Sequence, residues 1–243
     1  MYCLLAQAES DGALFVPNTV VTKVQLTASN EIDVFTSSWP DLTDSSSIRC
    51  KYFVNSAGLY SSLLSQFCRW DSDLKPRSMH FAKGNYFKLS SNHKFFSHLV
   101  YPVPEPKLAG LGVHATIDMA GAVRFGPDVE WLKDSLSSDH CRDKSFIDCM
   151  RYLKRTFDYS VDGSRINVIK REIRKYFPSI DDCDLIEDYS GIRPKLSVSE
   201  TSDFAVDVYE SGNARLVELH GIESPGLTSC LSIADYVCSK LTS

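Results

Sequence analysis

The amino-acid sequence predicts a mixed chain of α/β and α+β class. Three observations carry that reading. Two-residue alternation of apolar and polar side chains recurs from Thr22 onward. A strand runs through a small-residue turn into a helix at Tyr52–Tyr60. Segments near the middle and at the end repeat their apolar residues every three to four positions.

Taken in order, Tyr2–Glu9 reads as the end of a helix, stopped by Ser10-Asp11-Gly12. Thr22, Val24, Leu26 and Ala28 share one face of a strand, Ser29-Asn30 turns the chain, and Ile32, Val34 and Thr36 resume the alternation, which makes a β-hairpin. Pro40–Ser47 reads as a polar loop and Ile48–Val54 as a strand. Asn55-Ser56-Ala57-Gly58 follows as a turn, and Leu59–Phe67 has helical spacing. Ser78–Leu89, Leu99–Val103, Leu111–Ile117 and Ala122–Phe125 read as strands of an antiparallel sheet, the last two joined through Asp118–Gly121. Phe146, Cys149, Met150 and Leu153 mark one helix in Asp143–Phe157. Ile166, Ile169, Ile173 and Phe177 mark another in Ser164–Phe177, ended by Pro178. Strands return at Leu185–Ile192, Phe204–Tyr209 and Leu216–Leu219, and a final helix is expected to start near Gly226.

Length and charge bound the function. The 243 residues correspond to one or two domains, and 43% hydrophobic residues is too high for disorder. With 26 Lys+Arg against 31 Asp+Glu, the formal charge of −5 argues against a broad nucleic-acid surface. No apolar run approaches the ~20 residues that span a bilayer; Phe95–Val103 is interrupted by Ser97, His98 and Pro102. The opening residues lack the basic stretch and long apolar core of a signal peptide. The eight cysteines are therefore expected to be reduced thiols, and His140, Cys141 and Cys149 lack zinc-site spacing, so no metal is expected.

Several constellations can carry chemistry. The Asn55–Gly58 turn lets a backbone approach a phosphate or cofactor and aims helix amides at it, although such turns also serve plain packing. In Gly221–Ser229, Pro225 and Gly226 break a strand before a helix start whose free amides and partial positive charge suit an anion; the alternative is an ordinary cap by Ser224. His114 sits inside a strand, where an imidazole needs a partner, and His220 precedes the glycine turn. Gly110-Leu111-Gly112 begins like a dinucleotide fingerprint but lacks the third glycine and a following helix.

Taken together, Val54–Tyr60, Lys83-Gly84-Asn85-Tyr86-Phe87, Tyr101–Pro104, Leu111–Thr116, Phe125-Gly126-Pro127, Gly191-Ile192-Arg193-Pro194-Lys195 and Gly221–Ser229 resemble the L-2-hydroxyglutarate dehydrogenase/oxidase family, within the D-amino-acid-oxidase-like FAD-dependent oxidoreductases. The motifs keep the family's order from about Thr19 to Leu241. The resemblance implies an incomplete FAD-binding domain interleaved with an antiparallel-sheet substrate domain: 1–75 and 186–243 for FAD, 76–185 for substrate. The N-terminal strand, G-x-G-x-x-G turn and helix that grip the FAD pyrophosphate in the family are not seen in the sequence, so this chain alone is expected to bind FAD poorly.

The implied reaction is oxidation of L-2-hydroxyglutarate to 2-oxoglutarate, with a quinone or oxygen as electron acceptor. His114 is the expected base, and Lys83, Tyr101 and Arg193 the expected substrate contacts, a guanidinium matching a carboxylate. Ala57, Gly58, Gly191, Ile192, Ser224, Gly226, Leu227 and Thr228 are the expected FAD contacts. Two other readings stand beside it: an amine or amino-acid oxidase on the same scaffold, and an inactive short product that only binds a partner. Eukaryotic relatives imply a mitochondrial protein; a genuine short form without a targeting segment would be cytoplasmic.

Overall fold

The structure, a computed structural model, describes residues 1–70, 74–90, 95–103, 112–133, 141, 143–199 and 202–242. The expectations that touch 104–111, including Pro104, Gly110 and Leu111, and the one for His140 lie outside the described residues.

Helix α1 (Tyr2–Ser10) buries none of its residues, and Gly12 turns the chain away from it at φ +95°. Strands β1 (Thr19–Leu26) and β2 (Ile32–Ser38) form the expected hairpin. Its turn is closed by Thr27, whose hydroxyl accepts from the Glu31 amide at 3.1 Å, and by Asn30 at φ +56°. Strand β3 (Ser45–Cys50) pairs antiparallel with β2 and starts three residues earlier than expected. The serines at 45–47 lack apolar alternation because this edge faces solvent; Ser46 instead bonds Thr36 hydroxyl to hydroxyl at 2.8 Å. The expected single strand Ile48–Val54 is split at Lys51. Strand β4 (Tyr52–Asn55) leaves that sheet and joins another, a change of partner that no local pattern records.

A 3₁₀ turn (Gly58–Tyr60) leads into α2 (Ser61–Gln66), and β5 (Cys68–Arg69) pairs parallel with β1. Strand β6 (His80–Leu89) organises a five-stranded sheet with β7 (His114–Ile117), β8 (Val123–Gly126), β9 (Glu130–Trp131) and β10 (Leu185–Lys195), in the order β10-β6-β8-β7 with β9 also on β6. β5 and β9, two residues each, are too short to leave a periodic signal. The expected strand Leu99–Val103 reduces to one bridge, Val100 to Ala115, because Pro102 has no N–H to continue a ladder.

Helix α3 (Phe146–Thr156) starts where Ser145 accepts the Asp148 amide at 3.1 Å. Helix α4 (Ile166–Ile173) follows a 3₁₀ turn at Gly163–Arg165. β11 (Ala205–Ser211) and β12 (Ala214–His220) form a hairpin, and β12 pairs parallel with β4 to close a three-stranded sheet. Helix α5 (Cys230–Thr242) starts four residues later than expected, because Ser224–Ser229 is taken up by turns.

Three apolar clusters hold these parts. Val24, Leu63, Phe81 and Leu153 lie between the four-stranded sheet, α2 and α3. Phe87, Phe125, Ile169 and Ile173 join the five-stranded sheet to α4. Val217, Leu219 and Val237 join the three-stranded sheet to α5. All eight cysteines are free thiols, and among the described residues no helix is long and apolar enough to cross a membrane.

Expressed on its own, the 243-residue chain is expected to self-associate. Leu4 on α1 is 45% exposed and Leu231 on α5 is 60% exposed, and the outer edge of β4 has no partner strand among the described residues. Gel filtration with light scattering checks this; a monodisperse monomer contradicts it.

Candidate functional site

Strand alternation divides β6 between two faces. Phe81, Lys83, Asn85, Phe87 and Leu89 are all buried on the side covered by helices. His80, Ala82, Gly84, Tyr86 and Lys88 face the other way. Cross-strand pairing carries that second face sideways: Gly191 lies opposite Gly84 and Arg193 opposite Ala82 on β10, and His114 on β7 lies opposite Gly126 on β8. Three of the sequence candidates, His114, Gly191 and Arg193, therefore share one face of one sheet.

The face is built from aromatic rings around two ionisable groups. Tyr101 stacks on the His114 imidazole, with centroids 4.4 Å apart and planes at 21°. Tyr86 meets the same imidazole edge-on at 6.5 Å and stacks on Tyr189 at 4.5 Å. Tyr189 reaches that position because the β10–β6 register shifts between Glu187 and Ser190, and the bulge re-aims the side chain. Gly126 lacks the Cβ that would lie 2.7 Å from the Tyr86 ring, so the two rings can approach over it, while Gly191 has open space where a side chain would stand.

Electrostatics set the protonation states. The Nδ1 of His114 lies 3.2 Å from the Gly112 carbonyl. A carbonyl only accepts, so Nδ1 carries the proton and Nε2 of the neutral ring keeps its lone pair. Burial holds the His114 pKa below its ordinary value; the Gly112 bond opposes that and the nearby Arg193 charge adds to it. Burial likewise raises the Tyr86 phenol, partly offset by the charge of Arg193 and its hydrogen bond to the hydroxyl. The face thus presents a cation, a neutral imidazole and neutral phenols. The carboxylates on it are committed: Asp188 pairs with Arg124 and with Lys88 (3.4 Å), and Asp118 pairs with Arg124 at 2.6 Å.

Two candidates fall elsewhere. Lys83 is 5% exposed and points to the helix-covered side, where its charge acts on Asp158 and Asp162, so it does not join His114, Tyr101 and Arg193. Odd and even positions of β6 are one residue apart in sequence but on opposite faces. Ile192 also turns its side chain to that covered side and packs in the cluster that holds Leu59 and Tyr60.

The remaining candidates gather at two turns. Asn55 forms an Asx turn, its side-chain oxygen accepting from the Ala57 amide at 3.3 Å, and Gly58 follows at φ +57°. In the second turn Gly226 packs so tightly that a Cβ would lie 2.6 Å from the Ile222 side chain. The backbone N–H groups of Leu227 and Thr228 have no backbone acceptor among the described residues. Ser224 is too far from the start of α5 to cap it. Ser56, Gly58 and Gly226 border an apolar cavity of about 440 Å³ between β4, β12 and α5, also lined by Val54, Leu219 and Ile233. His220 is drawn into a different role. Its Nδ1 lies 3.2 Å from the Ser61 hydroxyl and its Nε2 3.3 Å from Glu218. Glu218 also accepts from Ser65 at 2.6 Å and from Asn55 at 3.4 Å. Glu218 and Ser61 are fully buried and His220 is 1% exposed, so the group resembles a hydrolytic triad but admits no substrate.

Sequence reasoning missed Tyr86, Tyr189 and the Glu218 cluster. Glu218 had a signal, a carboxylate inside the apolar strand Leu216–Leu219; Tyr189 had none, because a bulge decides its direction.

A profile of the FAD dependent oxidoreductase family matches residues 1–240. L-2-hydroxyglutarate dehydrogenase, mitochondrial, of Arabidopsis thaliana is 44% identical over 191 residues, covering 77% of this chain and 37% of that protein. The protein of the same name from Nematostella vectensis is 29% identical over 222 residues, covering 79% and 45%. The chain thus spans less than half the length of these two relatives. Among solved structures, dithionite-reduced L-alpha-glycerophosphate oxidase from Mycoplasma pneumoniae with FAD bound superposes with a TM-score of 0.70 at 20% identity, covering 100% of this chain and 55% of that one. Glycine oxidase from Bacillus cereus gives 0.64 at 14% identity, covering 99% and 54%. At these identities the structural likeness is one of fold.

Two measurements test the site. His114 should titrate below 6.5 by NMR, and Arg193→Ala should move its pKa upward by removing a positive neighbour. On acidification through that window the unfolded chain takes the proton first, so this residue lowers stability below 6.5 and is silent above it. Separately, Glu218→Ala should cost about 1–3 kcal/mol in denaturant unfolding, because it leaves the buried Ser65, Asn55 and His220 groups without their common acceptor.

Proposed function

The chain belongs to the FAD-dependent oxidoreductase family, and from that premise we propose that it forms the substrate-binding half and part of the cofactor-binding half of an enzyme that oxidises L-2-hydroxyglutarate to 2-oxoglutarate. Residues 76–185 supply the substrate face, joined by β10 from the expected cofactor segment 186–243 because β10 pairs with β6; 1–75 and the segment from β11 to α5 supply the cofactor side. The observation that carries the reading is the sharing of one sheet face by Arg193, a neutral His114 and an uncrowded Gly191.

FAD fits the residues at hand. The amides of Leu227 and Thr228, which have no backbone acceptor among the described residues, suit an atom that becomes negative on reduction. Gly226 and Gly58, at the rim of the 440 Å³ cavity, allow close backbone approach. Gly191 leaves room on the sheet for a flat ring. Ala57, Ser224 and the backbone of Ile192 complete this assignment. When bound, FAD supplies the acceptor for the hydride from the substrate's C2.

The chain's own groups do the rest. The Arg193 guanidinium holds a substrate carboxylate bidentately. Nε2 of His114 takes the proton of the 2-hydroxyl as the hydride departs, and Nδ1 stays bonded to Gly112, which keeps the ring oriented. Tyr101 shields the imidazole from water by stacking on it. The face favours an alcohol over an ammonium substrate, since its carboxylates are committed to Arg124 and Lys88. The name of the plant relative supports the same substrate and a mitochondrial location. A quinone or oxygen is the proposed electron acceptor.

In a flavin-loaded protein of the relatives' full length, Arg193→Ala should lower kcat/KM about ten- to hundred-fold, the equivalent of roughly 1.5–3 kcal/mol, with flavin content retained. His114→Gln should lower kcat about 10²–10⁴-fold and remove the acidic limb of the pH–rate profile. Steady-state kinetics with 2-hydroxyglutarate, and with small amino acids as competing substrates, decides the matter; faster turnover of an amino acid would overturn the substrate assignment.

A further inference from the structure

The two halves of the site sit on different sheets, so something must fix the distance between them. Arg193 and Lys195 are two apart on β10 and share the face that carries His114. The Lys195 ammonium forms an ion pair with the Glu223 carboxylate, in the turn that precedes α5. The two side chains are only 15% and 14% exposed. Next to them, Leu196 packs on Gly221, where φ is +67° and a Cβ would come within 2.8 Å of the leucine side chain. Glu223 also accepts, through its backbone carbonyl, from the Gly226 amide at 2.5 Å. The charged side chain of Glu223 is therefore held by the substrate strand while its backbone shapes the turn that exposes the Leu227 and Thr228 amides.

A pair this shielded from solvent pays a desolvation cost that a hydrophobic contact would not, so its value lies in fixing one geometry rather than in stability. We propose that Lys195 and Glu223 are positioning residues: their ionic tie holds the Gly221–Thr228 turn at a set distance from Arg193, and so sets the approach of the substrate's C2 to the cofactor ring. The proposal rests on the assignment of that turn to the cofactor and of Arg193 to the substrate.

The test uses Glu223→Gln, Lys195→Met and the exchanged pair Lys195→Glu with Glu223→Lys, each in a flavin-loaded protein of the relatives' full length that contains these residues. Flavin affinity is read by fluorescence titration, kcat and KM with 2-hydroxyglutarate by steady-state kinetics, and Tm on the flavin-free protein. The single variants should weaken flavin binding about tenfold and lower kcat up to about 10²-fold, as small misplacements do, with KM moved less. The exchanged pair should recover most of both losses. Single variants with parental flavin affinity and kcat, whatever their Tm, would overturn the proposal, as would an exchanged pair with parental Tm but no recovery. Should the single variants fail to fold, the exchanged pair alone decides by the same two readings. A parent protein that ignores 2-hydroxyglutarate would refute the substrate assignment instead, and the flavin-affinity arm would still judge the ion pair.

Discussion

Strand β6 has to satisfy two environments at once, and the rest of the molecule follows from that constraint. Its odd-numbered side chains are buried under the helices, with Phe81 and Phe87 fully enclosed, so a one-residue slip would carry both phenylalanines to the opposite face. The apolar burial therefore locks the register. Once it is locked, the ladders to β8 and β10 fix their own registers, and β8 fixes β7. His114, Tyr86, Gly191 and Arg193 come to the same face as a consequence of packing on the other one.

The face that results is uneven by design of its glycines and its bulge. Gly126 is the position where an added methyl group would strike the Tyr86 ring, and the slipped register at Glu187–Ser190 brings Tyr189 over to stack on it. The rings restrain the imidazole mechanically, while Arg193 and burial restrain it electrically, both favouring the neutral form. Burial and the neighbouring guanidinium charge act in the same direction on His114, and both disfavour the imidazolium.

The second half of the molecule adds a buried polar cluster to its apolar contacts. Glu218 gathers Ser65, Asn55 and His220 around one buried carboxylate, joining β12, β4 and α2. Asn55 divides its side chain between this cluster and the Ala57 amide, so the shape of the Asn55–Gly58 turn is tied to the buried network. The same economy recurs at Glu223, whose side chain meets Lys195 while its backbone shapes the next turn.

Much of this was legible in the residues. The hairpin at β1–β2, the strand–turn–helix around Tyr52–Tyr60, a helix within Asp143–Phe157 and strands near Phe204–Tyr209 and Leu216–Leu219 follow from local periodicity and turn chemistry, and the motif order marked the family; the Ser145 cap and the β11–β12 pairing came from the structure. The candidate site was legible only as residue types, of which the structure brings His114 and Arg193 to one face. Local pattern could not say that Lys83, inside the same motif as Tyr86, points to the opposite side, that the strand through Lys51 changes sheets, or that the turn before α5 lasts to Ser229. By itself the sequence determined most of the longer helices and strands and which groups are available for chemistry, because those depend on neighbours within a few residues. Only the tertiary structure decided which of those groups meet, because sheet register and the buried ion pairs depend on partners far away in the chain, chosen by what each face must hide from water.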